Sequence, residues 1–253
     1  MIELNKKTAI ITGGASGIGL AIVKALSGAG ANIVVADLDG SGLQDSGVDC
    51  KFVRTNVADA ESVRALIEEV EASLGGADIL VNNAGIQFLS PVVDFPEERW
   101  NALLGVILTG TFLCSKHALP YMLSRRWGRI INIASLHAKV ASPFKSAYVS
   151  AKHGVLGFTK TLALEVAEQN ITCNAICPAY VRTPLVEKQI ADQAIRHHIA
   201  PEEVITRIMT EPAAIKRLLE PDEVASLALY LCSDAAAGIT GAALDIDLGW
   251  TAR

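Results

Sequence analysis

The chain has 253 residues, 51% of them hydrophobic, with a formal charge of −5 and five cysteines. That length and apolar content can fill the core of one α/β domain spanning 1–253, whereas the acidic balance argues against a nucleic-acid surface, and no apolar run of about 18 residues offers a membrane span. Cys50, Cys114, Cys173, Cys177 and Cys232 form no C-x-x-C or zinc spacing and lie mostly in apolar runs, so reduced core thiols and no metal site are expected. The first apolar run begins within a few residues of Met1, leaving no room for a leader, and a cytoplasmic location is expected.

The first predicted strand is Lys7-Thr8-Ala9-Ile10-Ile11-Thr12. Gly13-Gly14-Ala15-Ser16-Gly17-Ile18-Gly19 follows at once, then a helical pattern through Leu20, Ile22, Val23 and Leu26. Strand, glycine turn and helix in this order make a phosphate cradle: Gly13 turns the chain, Gly17 admits a pyrophosphate and Gly19 allows close helix packing. The helix start adds N–H groups and the positive end of its dipole. The next strand, Asn32 to Asp37, ends in a carboxylate where a ribose-binding acid is expected, and a carboxylate there repels a 2′-phosphate. With Leu38 next and no Arg or Lys in the glycine turn, the site lacks a counter-charge for NADP, so NAD is the expected cofactor.

A Gly-rich connection leads to a strand at Lys51 to Arg54, a helix over roughly Asp59 to Leu74 and a strand at Asp78 to Val81 that ends in Asn82-Asn83-Ala84-Gly85. A long helix around Trp100 to Ser124 precedes the strand Gly128 to Ser135, the helix carrying Tyr148 and Lys152, and a strand at Ile171 to Ile176. Thr183 to about Glu220 is the least regular stretch, interrupted by Pro184, Pro201 and Pro212, with Pro221 just beyond. Lying past a strand's carboxyl end, 183–220 is expected to be a substrate-binding lid. A helix near Asp222 to Ser233 and a strand at Ala243 to Asp247 finish the chain. Alternating strands and helices predict a single doubly wound (Rossmann) parallel sheet with helices on both faces.

Tyr148 and Lys152 stand four apart, on one helical face. A lysine ammonium close to the phenol favours its ionised form, and such a phenol exchanges protons near neutral pH.

The spacing Thr12-Gly13-x-x-x-Gly17-x-Gly19, the Asn82-Asn83-Ala84-Gly85 run and the group Ser135, Tyr148 and Lys152 resemble the short-chain dehydrogenase/reductase family. The resemblance implies that Tyr148 is the acid/base on the substrate oxygen, that Ser135 hydrogen-bonds that oxygen, and that Lys152 binds the nicotinamide ribose. It assigns Gly13, Ser16, Gly17, Ile18, Gly19, Asp37, Asn56, Val57, Asn83, Ala84, Gly85, Tyr148, Lys152, Pro178, Val181 and Thr183 to the cofactor. Two departures stand out. Asn56 replaces the usual Asp beside the adenine and can still accept a hydrogen bond. Ile107 replaces an Asn that supports a water relay to the lysine, so the chain is expected either to hold that water by backbone alone or to be a catalytically weakened NAD binder.

Ser135-Leu136-His137, Lys145-Ser146-Ala147-Tyr148, Val181 through Gln189 and Gly249-Trp250-Thr251-Ala252-Arg253 narrow the resemblance to a bacterial branch, the D-3-hydroxybutyrate dehydrogenases. It implies that Gln87, His137, Lys145 and Gln189 hold a substrate carboxylate, that Ser135 and Tyr148 face the reacting oxygen, that Tyr180 stands where Trp is usual, and that Trp250 approaches the pocket. A small anionic acid does want a cation and hydrogen-bond donors opposite its reacting carbon. The expected partner is a 3-hydroxy or 3-oxo acid, and the expected assembly a homotetramer. Another alcohol or ketone substrate is the alternative.

Overall fold

The computed structural model describes residues 2–252, so the first and last residues of the expected domain lie outside the described residues. Its strands are β1 (Thr8–Thr12), β2 (Asn32–Asp37), β3 (Lys51–Arg54), β4 (Ile79–Asn82), β5 (Gly128–Ile133), β6 (Ile171–Pro178) and β7 (Ala243–Ile246). Every residue of β1, β4, β5 and β6 is buried, as in a parallel sheet covered on both faces. The order is β3-β2-β1-β4-β5-β6-β7 and every pairing is parallel. The winding reverses between β1 and β4, which opens a crevice beyond their carboxyl ends.

The covering helices are α1 (Gly17–Gly28), α2 (Ala60–Leu74), α3 (Glu97–Leu104), α4 (Gly110–Arg125), α5 (Ser146–Val166), α6 (Pro184–His197), α7 (Pro201–Val204) and α8 (Pro221–Cys232). Successive strand residues point to opposite faces. Thus Ile11 joins Ile22 and Leu26 of α1 and Val224 and Leu231 of α8 in one core, while Ile10 joins Leu66 of α2, Met122 of α4 and Leu162 of α5 in the other. Between the faces of α4 and α5, Asn82 donates to Ser115 Oγ at 3.1 Å and to Asn132 Oδ1 at 2.8 Å, and Asn132 donates to Thr159 Oγ1 at 2.9 Å. This buried polar chain pins both helices to the sheet in one register.

The long predicted helix is continuous over Glu97–Arg125 but contains a wide π turn, Gly105–Thr109, between α3 and α4. By length and mean hydropathy the stretch is long and apolar enough to cross a bilayer, which the reading of apolar runs did not anticipate. It serves here as a core helix: Leu103, Ile107, Cys114, Ala118 and Met122 are all buried.

The stretch 183–220 is more regular than expected. Pro184, Pro201 and Pro221 occupy the first turns of α6, α7 and α8, where a missing N–H costs nothing, so they start helices rather than interrupt them. Thr183 caps α6 by accepting from Val186 N at 3.3 Å. Val186, Ile190, Val204, Met209 and Leu218 then form a small core of their own. Arg182 ties the two ends of the stretch together, donating to Glu187 at 2.6 Å and Glu220 at 3.2 Å.

Candidate active site

The carboxyl ends of the strands surround one cleft of about 380 Å³. All the residues assigned to cofactor and substrate line it except Gly19 and Trp250.

Gly13 (φ +61°) turns the chain off β1 in the left-handed region, and a Cβ there would lie 2.9 Å from Ala84 Cα. At Gly19, a Cβ would stand 2.1 Å from the Gly13 carbonyl oxygen and 2.6 Å from Asn83 Nδ2, so Gly19 supports the turn from behind rather than facing the cleft. Asn83 Nδ2 donates to the carbonyls of Thr12 and Gly13 at 3.0 and 2.8 Å. Thr12 Oγ1 accepts from Asn83 N and Ala84 N at 3.0 and 3.1 Å, locking the end of β4 to the glycine turn. In the sequence Thr12 stands out only as part of a motif; its bracing role depends on a neighbour 71 positions away.

Asp37 Oδ2 accepts from Ala15 N at 3.1 Å and Oδ1 from Leu38 N at 2.7 Å, which aims the carboxylate into the cleft mouth. Asn56 Oδ1 accepts from Ala58 N at 3.1 Å and keeps a second lone pair. The strand register pairs Arg54 of β3 with Asp37, but Arg54 does not line the cleft. Long-range pairing of β2 with β3 brings the two together, which inspection of the glycine turn alone misses. The donor-rich turn, the helix start and the oriented carboxylate fit a dinucleotide.

Tyr148 and Lys152 share one face of α5, with Lys152 Nζ 5.6 Å from the phenol ring centre and donating to the Ile133 carbonyl at 2.6 Å. The expected downward pull of Lys152 on the phenol is not what the structure favours. Burial pushes Tyr148 up to about 12, the neighbouring Ser135 hydroxyl draws it partly back, and Tyr180 adds to the rise. Burial likewise lowers Lys152 to about 8. Both charges are stripped of water, and desolvation outweighs the helical pairing on which the expectation rested.

Ser135, at the carboxyl side of β5, accepts from His137 N at 3.1 Å and so closes a short turn that brings His137 round to the cleft. His137 Nε2 lies 2.8 Å from Ser142 Oγ and 3.4 Å from Lys145 Nζ. An ammonium only donates, so Nε2 accepts and the ring proton sits on Nδ1. Burial, reinforced by Lys145, lowers His137 to about 3, and the ring is neutral. Ser142 carried no signal in the sequence. Lys145, buried, also donates to Tyr180 Oη at 2.9 Å. The Tyr180 ring is flanked by His137 and Trp250, with centroids at 6.4 and 6.0 Å, so Trp250 backs the pocket wall instead of entering the cleft. Gln87 and Gln189 complete the lining, and Gln87 Oε1 is buried without a partner among the described residues.

Ile107 lies outside the cleft, in the π turn, packed with Leu103, Ala147, Ala151 and Val155. Its carbonyl accepts from Thr111 Oγ1 at 2.7 Å.

A doubly wound sheet with this cradle and a half-buried tyrosine one turn from a buried lysine defines a nucleotide-dependent oxidoreductase, and the chain belongs to the short-chain dehydrogenase/reductase family: residues 13–251 match the family model described as enoyl-(acyl carrier protein) reductase. It is a dehydrogenase using a nicotinamide cofactor. Among its relatives are two proteins named D-beta-hydroxybutyrate dehydrogenase. That of Rhizobium meliloti (strain 1021) is 50% identical over 98% of this chain and 99% of its own length; that of Cupriavidus necator is 44% identical over 99% and 100%. A solved structure of an actinorhodin polyketide ketoreductase variant with NADPH is 34% identical and superposes with a TM-score of 0.91 over 98% of each chain.

Proposed function

We propose that the protein oxidises D-3-hydroxybutyrate, or a close 3-hydroxy acid, with NAD, and reduces the 3-oxo acid with NADH. The observation that carries this reading is the buried Lys145, held against His137 and Tyr180 in the same cleft as Tyr148. A buried ammonium with no carboxylate partner among the described residues calls for an anionic ligand. The names of the two hydroxybutyrate relatives support the same substrate class.

The glycine turn, Asp37 and Lys152 would hold the dinucleotide, and when bound it accepts or returns a hydride at the carbon bearing the substrate oxygen. Tyr148 holds or takes the proton at its Oη, Ser135 hydrogen-bonds the same substrate oxygen, and Lys152 keeps a positive charge near both. Lys145, His137 Nδ1–H, Gln87 and Gln189 fix the carboxylate and thereby the face of the reacting carbon. Asp37 favours NAD over NADP because it lines the cleft while Arg54 does not. In the same reading 183–220 closes over the substrate as a lid and four copies of the chain assemble.

The test is a comparison of NAD and NADP reduction with D- and L-3-hydroxybutyrate and with neutral secondary alcohols of matched size. Selective use of the D-acid with NAD is expected; equal rates on the neutral alcohols, or a preference for NADP, would refute the corresponding part of the proposal.

A further inference from the structure

Lys145 Nζ carries three protons. One is directed to Tyr180 Oη at 2.9 Å and one toward His137 Nε2 at 3.4 Å, which leaves one for a ligand. Tyr180 Oη, having accepted from Lys145, still owns a hydroxyl proton, and that proton cannot point back at an ammonium. No other partner of Tyr180 Oη occurs among the described residues, and Tyr180 lines the cleft. Its ring is held on two sides, edge-on to His137 and against Trp250, so the hydroxyl has little freedom of position. Trp250 is itself seated by the C-terminal turn, in which Asp247 accepts from Gly249 N, Thr251 N and Thr251 Oγ1.

We infer that Tyr180 is a specificity-determining residue that donates its hydroxyl proton to the substrate carboxylate, forming with Lys145 a two-donor anion clamp. The assignment rests on the hydroxy-acid reading above and deepens it. Lys145 polarises the phenol it is bonded to, which strengthens the phenol as a donor, and the phenol in turn steadies the ammonium on its flexible stem. The ligand chemistry selected is a carboxylate with one oxygen near each donor. A carboxylate ester of the same skeleton offers no such charge and gains little from either group.

The experiment compares kcat and KM for D-3-hydroxybutyrate and its methyl ester, at saturating NAD, in the wild type and in Tyr180→Phe, which keeps the ring and its packing. Wild type is expected to favour the acid. In Tyr180→Phe the acid's kcat/KM should fall about tenfold, as for loss of one hydrogen bond to a charged group, through KM rather than kcat, while the ester changes little. Inhibition by butyrate, measured against the ester as substrate, should weaken in parallel. Equal losses on acid and ester would make Tyr180 a packing residue and overturn the assignment, as would an acid preference and butyrate inhibition that survive unchanged in the variant. A wild type that does not favour the acid over the ester would overturn the hydroxy-acid reading itself, and this assignment with it.

Discussion

At the scale of single residues, the chemistry turns on a phenol that its surroundings keep protonated. Because burial pushes Tyr148 up to about 12, the resting side chain is a proton donor, ready for the 3-oxo acid, and oxidation requires its proton to leave first. Oxidation should therefore speed up as pH rises from neutrality, most steeply below about 8, where Lys152 still holds its charge, while reduction, whose proton donor stays protonated throughout, changes little. Initial rates in both directions across that range check the sign, and an oxidation rate independent of pH would contradict it. Tyr148→Phe should lower turnover by about 10²–10⁴-fold, the usual weight of general acid/base catalysis, with NADH binding retained in a fluorescence titration. A variant with wild-type turnover would remove Tyr148 from the mechanism.

At the scale of elements, the glycine turn, the acid closing β2 and the Tyr–Lys spacing on α5 were readable because each is local: the chemistry follows from residues a few positions apart. The Thr12 brace, the Arg54 neighbour of Asp37 and the Ser142 contact to His137 were not, because strand pairing and loop return create them. The helical order of 183–220 was hidden for a different reason, since prolines at helix starts look like breaks when the sequence is scanned for interruptions. The π turn at Gly105–Thr109 was equally invisible, and it bears on Ile107. That side chain is almost wholly enclosed, at 1% exposure, among apolar neighbours. Ile107→Asn should thus destabilise the protein by about 1–3 kcal/mol, the cost of burying an amide without adequate partners, read as a lower urea midpoint, with activity changed modestly. A stable Ile107→Asn variant that turns over while the wild type does not would show instead that Ile107 disables the proton relay.

For the molecule as a whole, the neutral state of His137 links the substrate end of the cleft to stability in acid. Its folded value of about 3 lies below the ordinary histidine value of 6.5, so between these two the unfolded chain binds a proton that the native protein refuses. The contribution is complete above about 6.5 and is lost as pH falls toward 3, at up to about 1.4 kcal/mol per pH unit. Urea midpoints at neutral pH and near pH 5 should drop more for the wild type than for His137→Gln; parallel drops would show that other groups govern acid sensitivity.

The stretch between Arg182 and Glu220 has its own small interior, built from Val186, Ile190, Val204, Met209 and Leu218; it is fastened at its ends through the Val181–Leu219 bridge and further along where Ala214 N and Ile215 N donate to the Leu248 carbonyl at 2.9 and 3.0 Å. Under the lid proposal, motion of such a unit would cost the contacts at Val181, Leu219 and Leu248 rather than its own packing or that of the seven strands. In that proposal access to the cleft and endurance of the fold are decoupled: the doorway opens by parting a few contacts at its frame, and the house stays standing.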